Sequence, residues 1–152
     1  MNPNAPISTI MTRELTTVTE DASLAHVKKI FEKHHFHHLP VVKEGRRLVG
    51  IISKEDFSRT AYMVSLKTGG KTCSKLEYAH ISAKSMMTTY PVFLEPEDTI
   101  DLAADIFLAN KFHALPILDD GQLVGIVTTH DLIRYAFSEV ESENAAERIN
   151  RF

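Results

Sequence analysis

The chain repeats itself, and that constrains its fold more than any other feature. Residues 10–42 realign on residues 86–118, and residues 48–61 realign on residues 123–136. The identical pairs include Met11/Met87, Thr12/Thr88, Ile30/Ile106, Phe31/Phe107, Phe36/Phe112, His37/His113, Leu39/Leu115, Pro40/Pro116, Gly50/Gly125 and Asp56/Asp131. Self-similarity at a fixed period means one supersecondary unit used twice. Two related units that bury a shared face create paired, symmetry-related clefts, which suits a binding module better than an enzyme with one asymmetric active site.

The first copy opens with Thr16-Thr17-Val18, a β-prone stretch, followed by a polar turn at Glu20-Asp21. Ser23 reads as an N-cap, and Leu24, Val27, Ile30 and Phe31 then form one apolar stripe of an amphipathic helix. The counterpart starts near Thr99, with Ile100, Ala103, Ile106 and Phe107 on the matching face. Pro40 disfavours helical geometry in the residue before it, so the helix ends ahead of Phe36-His37. Two strands follow, residues 39–42 and 48–52, flanking a hairpin loop at residues 43–47. The second copy writes the hairpin one residue tighter, so residues 10–42 realign 76 places on and residues 48–61 only 75 places on. A second helix follows each hairpin. In copy two Leu132, Ala136 and Val140 share a stripe, with Ile133 and Phe137 beside it.

Each copy is thus β-α-β-β-α, and the fold class is α+β, two such repeats packed with pseudo-two-fold symmetry. The repeats are bounded at residues 7–62 and 83–138, with a linker or insertion at 63–82 and a charged tail at 139–152 that reads as helical. Lys67 to Thr72 reads as a loop on that extended linker. A repeat of this size has a thin core and is expected to stack on its partner.

Composition narrows the function classes. A formal charge of −3 with no basic stripe gives no footprint for nucleic acid. The single cysteine, Cys73, allows no intrachain disulfide and fits a reducing compartment. The start lacks a basic region and a long apolar run, so it does not read as a signal peptide, and no apolar stretch is long enough to span a bilayer. The expected location is the cytoplasm, with no membrane partner.

Ser53-x-x-Asp56 and Thr128-x-x-Asp131 resemble a capping box, although that motif prefers Glu or Gln in the acidic position. A cap does not exclude a ligand, since a helix N-terminus offers free N–H groups that favour an anion. The run His34-His35-Phe36-His37-His38 invites a metal, but Pro40 separates His34 and His38 from a shared helical face, and copy two keeps only His113. The expectation is no metal site; titratable groups near a phosphate are the better use of these imidazoles. Gly70-Lys71-Thr72 lacks the first glycine of a phosphate-binding P-loop, because position 65 is Ser65. No Ser-His-Asp or Cys-His constellation emerges, so no catalytic residue is expected and the chain reads as a non-enzyme.

The Met-Thr opening, Leu39-Pro40-Val41-Val42 and Gly50-Ile51-Ile52-Ser53-Lys54-Glu55-Asp56 together resemble the CBS domain, the module first noted in cystathionine β-synthase. Two in tandem resemble a CBS pair, or Bateman module, over residues 7–137. The resemblance implies a regulatory, energy-sensing module that binds an adenine nucleotide (AMP, ADP, ATP or S-adenosylmethionine) in the cleft between repeats and passes a conformational change to a partner. No catalytic cofactor is implied. Asp56 and Asp131 would accept hydrogen bonds from ribose hydroxyls, with Ser53 and Thr128 alongside. His37, His38, His113 and Ala114 would line the base or phosphate region, and Thr12 and Thr88 would contribute from the opening of each copy. The family often has arginine where this chain has His38 and Ala114. It also commonly forms flat homodimers through exposed helix faces. The alternative reading is a constitutive dimerisation or protein-docking module with no small-molecule ligand.

Overall fold

The computed structural model describes residues 2–67, 69 and 75–138. In chain order these form a short 3-10 turn at Ile7–Thr9, then α1 (Leu24–Lys33), β1 (His38–Lys43), β2 (Arg47–Ser53) and α2 (Lys54–Lys67). The order continues with α3 (Lys75–His80), α4 (Ala83–Met86), β3 (Thr88–Thr89), α5 (Ile100–Ala109), β4 (Ala114–Asp119) and β5 (Gln122–Thr128). Helix α6 covers residues 129–138.

The helix starts follow the sequence closely. The Ser23 hydroxyl accepts from the His26 N–H and the Thr99 hydroxyl from the Leu102 N–H, each at 3.2 Å, so both predicted caps are formed. Helix α1 buries Leu24, Val27 and Phe31, while α5 buries Ile100 and Ala103. The hairpin of copy two turns through Asp120 and Gly121, both left-handed, whereas copy one spends three residues between strands. That difference is the extra residue in copy one.

Two expectations need correction. The opening strand of each copy is reduced to one parallel bridge, Val18 to Val41 and Leu94 to Ile117. Val18 is held by its N–H on the Pro40 carbonyl and by the Val42 N–H on its own carbonyl, and the chain turns directly after it, the Ala22 N–H closing on the Thr19 carbonyl at 3.1 Å. The region expected to be an extended linker is helical at both ends, since α2 runs to Lys67 and α3 covers Lys75–His80. The pairing of β3 with β2, through Gly50 to Thr89 and Ile51 to Thr88, was not anticipated at all. Cys73, most of the Lys67 to Thr72 loop, and the tail from residue 139 with Val140 lie outside the described residues.

The compact units do not coincide with the sequence repeats. Among the described residues, one unit gathers residues 16–91 with 121–123, and the other gathers 2–15, 92–120 and 124–138. The first unit is centred on copy one and the second unit on copy two. In the first unit the Leu24 N–H donates to the Ile81 carbonyl, and the Ala83 N–H to the Ala22 carbonyl, both at 2.7 Å. In the second, the Ile100 N–H donates to the Ala5 carbonyl and the Ile7 N–H to the Asp98 carbonyl. The opening segment of each copy therefore completes the unit of the other copy.

The cores obey the same exchange. The first unit buries Val18, Leu24, Val27, Phe31, Leu39, Val41 and Ile52 together with Ala83 and Met86 from the opening of copy two. The second buries Leu94, Ile100, Ala103, Leu115, Ile117 and Val127 together with Ile7 and Met11 from the opening of copy one. Glycine permits the exchanged segments to sit close. A Cβ at Gly50 would stand 2.5 Å from Met87 Sδ, and one at Gly125 would collide with Met11 Sδ.

Candidate functional site

Each hairpin ends where the next helix begins, and the sequence writes a hydroxyl and a carboxylate across that junction. In the first unit the Asp56 N–H donates to Ser53 Oγ at 3.0 Å, while the Ser53 N–H and hydroxyl donate to Asp56 Oδ2 at 3.0 and 2.7 Å. The second unit repeats this closely. The Asp131 N–H donates to Thr128 Oγ1 at 3.3 Å, and the Thr128 N–H and hydroxyl donate to Asp131 Oδ2 at 2.8 and 2.7 Å. These are reciprocal capping boxes with Asp in the acidic position: the side chain of each member satisfies the backbone of the other. Carboxylates at this point also complement the positive end of the helix dipole.

The box leaves chemistry to spare. Both contacts to the carboxylate fall on Oδ2, so Oδ1 is directed elsewhere. Asp56 Oδ1 lies 3.7 Å from the guanidinium of Arg59, whose side chain is mostly exposed, a pair of small energetic weight. Replacing Ser53 with alanine removes the hydroxyl from the Asp56 N–H and is expected to cost about 1 kcal/mol, whereas glycine should cost only a few tenths. Urea melts of the two variants test this, and equal losses would assign the effect to something other than the cap.

The remaining candidates gather around these boxes. The Lys54 N–H donates to the His37 carbonyl at 2.8 Å, and the Thr129 N–H donates to the His113 carbonyl at 3.1 Å, so the residue before each strand is tied to the following helix. His38 is the cross-strand partner of Ser53, which puts their side chains on one face of the hairpin. His38 is half-buried and its counterpart Ala114 is buried, while His37 and His113 are exposed. The first unit thus brings together His37, His38, Ser53 and Asp56, and the second brings together His113, Ala114, Thr128 and Asp131.

The two threonines cross over. Thr88 pairs with Ile51 of the first unit, and Thr12 exchanges N–H and carbonyl contacts with Ile126 of the second, at 2.9 and 3.0 Å. Each threonine opens its own copy, as the sequence reads, and its backbone pairs two residues along the strand from the box of the other copy. The reason is the exchange of opening segments, and nothing in a pair of near-identical motifs signals it.

Elsewhere the histidine run disperses. His34 stacks on Phe36 with ring centres 5.0 Å apart, while His35 and His37 are exposed. Among the described residues no group of three or more His, Cys, Asp or Glu side chains could hold a metal ion. No helix among them is long and apolar enough to cross a membrane. A hollow at the start of α1 is lined by Thr17, Thr19, Asp21, Ser23, His26 and Gly45 and includes none of the residues gathered at the boxes.

Comparison with known proteins fits this geometry. The sequence model of the CBS domain matches residues 7–61 and 83–138. A homoserine O-acetyltransferase of Methanococcoides burtonii is 33% identical over 129 residues, which is 84% of this chain and 23% of that protein. The chain spans less than half the length of the first three curated relatives it matches, 23%, 48% and 23%. Among solved structures, CBSX2 in complex with AMP superposes with a TM-score of 0.74 at 24% identity, over 88% of this chain and 97% of that one. The CBS domain pair of MJ0100, in complex with 5′-methylthioadenosine and S-adenosylmethionine, gives 0.72 at 25% identity, over 90% and 99%. With two copies of the motif, two hairpin-to-helix boxes and both copies matched, the chain belongs to the CBS domain family as a tandem pair.

Proposed function

We propose that this chain is a non-enzymatic, cytoplasmic regulatory module that binds an adenine nucleotide or S-adenosylmethionine beside one or both capping boxes and transmits the binding event to a partner, working as a homodimer. The observation that carries the reading is the duplicated box: a carboxylate with one oxygen committed to the cap and the other oxygen directed away, at a helix start. The uncommitted oxygen suits a ribose hydroxyl, and the first N–H groups of α2 and α6 suit a phosphate or carboxylate. His37, His38, His113 and Thr88 or Thr12 supply further polar groups around the same points. The similarity to a CBS pair that holds two adenosyl compounds supports the choice of ligand class. Signalling requires that the ligand favour one of two arrangements of the protein, since equal affinity for both shifts nothing.

A thermal-shift titration with AMP, ADP, ATP and S-adenosylmethionine tests the reading, with Asp56→Asn and Asp131→Asn alongside the wild type. A ligand at a hundred times its dissociation constant adds about 2.7 kcal/mol of stability. The expected result is a shift abolished by one or both substitutions, which names the working unit. The absence of any shift for every ligand would overturn it. One observation favours the alternative of a ligand-free docking module: none of the 14 residues of α2 is buried, and Tyr62, Met63 and Leu66 stand more than half exposed.

A further inference from the structure

Each capping box uses nearly all the donors of its helix start. An α-helix leaves four N–H groups at that end without partners inside it. In the first unit those of Ser53 and Asp56 close the box, and that of Lys54 goes to the His37 carbonyl. In the second unit those of Thr128 and Asp131 close the box, and that of Thr129 goes to the His113 carbonyl. Among the described residues this leaves the Glu55 and His130 N–H groups to a ligand. A single N–H is little for a phosphate, so a phosphate held here calls for a cation from a side chain.

One cation stands at the same place in both helices. Between residues 54–62 and 129–137 the identical pairs are Asp56/Asp131, Arg59/Arg134 and Ala61/Ala136. The aspartates build the boxes and the alanines are half-buried, but both arginines are exposed, so packing does not account for them. Lys54 is no equivalent: its ammonium lies 5.9 Å from the Phe31 ring centre, and copy two has Thr129 there. Helical side chains lean toward the N-terminus, so an arginine one turn after the box aspartate reaches back over the helix start. Arg59 shows this, with its guanidinium 3.7 Å from Asp56 Oδ1, the oxygen left out of the box.

We propose that Arg59 and Arg134 bind the phosphate of the ligand, so that the sites take a phosphorylated adenine nucleotide in preference to adenosine or S-adenosylmethionine. The inference rests on the nucleotide reading given above and names the ligand class within it. A ribose hydroxyl on Asp56 Oδ1 puts the 5′ group of the nucleotide one sugar ring away, within the swing of the long Arg59 side chain. A guanidinium gives a phosphate two parallel hydrogen bonds and a permanent charge, where the imidazole of His37 or His113 gives one N–H per edge. S-adenosylmethionine carries a sulfonium and an ammonium at that end, which the same arginine repels. The exposed pair with Asp56 is weak, so the arginine loses little on leaving the carboxylate.

Calorimetric titration of the full chain with AMP, adenosine and S-adenosylmethionine tests this on wild type, Arg59→Gln, Arg134→Gln and the chain carrying both. Arg46→Gln, at the exposed hairpin of copy one, controls for loss of charge alone and should leave AMP binding as it was. Glutamine keeps the helix propensity of arginine, and both positions are exposed, so folding is preserved. Wild type is expected to bind AMP more tightly than either other ligand. Loss of the arginine of a working unit should weaken AMP about tenfold or more, toward the adenosine value, with adenosine unchanged. Equal losses for AMP and adenosine would assign the arginine to holding Asp56 and overturn the proposal. AMP binding indifferent to every arginine change, or a wild type that prefers S-adenosylmethionine, overturns it too. Asp56→Asn and Asp131→Asn in the same titrations separate the two readings. AMP binding lost with an aspartate but kept without the arginines leaves the nucleotide site standing and removes the phosphate contact, while no binding of any ligand removes both.

Discussion

Ile7→Ala is expected to destabilise copy two, although Ile7 lies at the opening of copy one. The side chain is fully buried with Leu94, Ile100, Leu115, Ile117 and Val127, so its truncation leaves a cavity in the second unit. A buried isoleucine cut to alanine costs about 2–5 kcal/mol, lost transfer energy plus the unfilled space. Amide hydrogen exchange locates the damage. Protection should fall first in β4 and β5, while β1 and β2 hold theirs longer. Faster exchange in β1 and β2 ahead of β4 and β5 would contradict the exchange of opening segments.

The second large effect concerns the glycines over which those segments pass. At Gly50 an added methyl would meet Met87 Sδ at 2.5 Å and the Thr88 carbonyl oxygen at 2.9 Å. Backbone cannot swing aside, and β3 is held by its pairing to the same strand. At Gly125 the three nearest atoms all belong to the Met11 side chain, which has three rotatable bonds and can give way. Overpacking in such places costs about 1–3 kcal/mol. Gly50→Ala is expected at the upper end of that range or beyond it, and Gly125→Ala near the lower end. Truncating Met11 should recover most of the loss from Gly125→Ala, while truncating Met87 should recover little of the loss from Gly50→Ala. Chemical denaturation of the four single and double variants decides it; equal costs at the two glycines would show that β3 yields as readily as a methionine.

Local features were legible because they depend on local chemistry. Ser23 and Thr99 cap because a hydroxyl there meets the free N–H groups of the next turn, whatever surrounds it. The Leu24, Val27 and Phe31 stripe and the tighter turn at Asp120-Gly121 follow from helical period and turn geometry in the same way. The Ser53 and Asp56 box was legible too, with its counterpart Thr128 and Asp131, since three-residue spacing closes it without help from the rest of the chain. What escaped was pairing between distant segments. Residues 5–12 and 81–88 resemble one another, and so do the surfaces that receive them; a sequence written twice carries no mark of which opening goes with which receiver. The pairing of Thr12 with Ile126 and of Thr88 with Ile51 could not be read from the sequence for that reason. The short strand β3 escaped because two threonines make no pattern, and the segment after residue 62 escaped because a glycine-rich stretch in its middle masked the helices on either side.

The exchange also sets an order of events during synthesis. Residues 5–12 leave the ribosome before any of the strands they will join, and their receiver, residues 94–126, is complete only some hundred residues later. At about 5–20 residues per second that is a wait of roughly ten seconds. Through that interval Ile7 and Met11 have no native place to be buried, while the growing copy one offers a look-alike receiver that belongs to Met86 and Ala83. The earliest part of the fold to be made is thus the last to be placed.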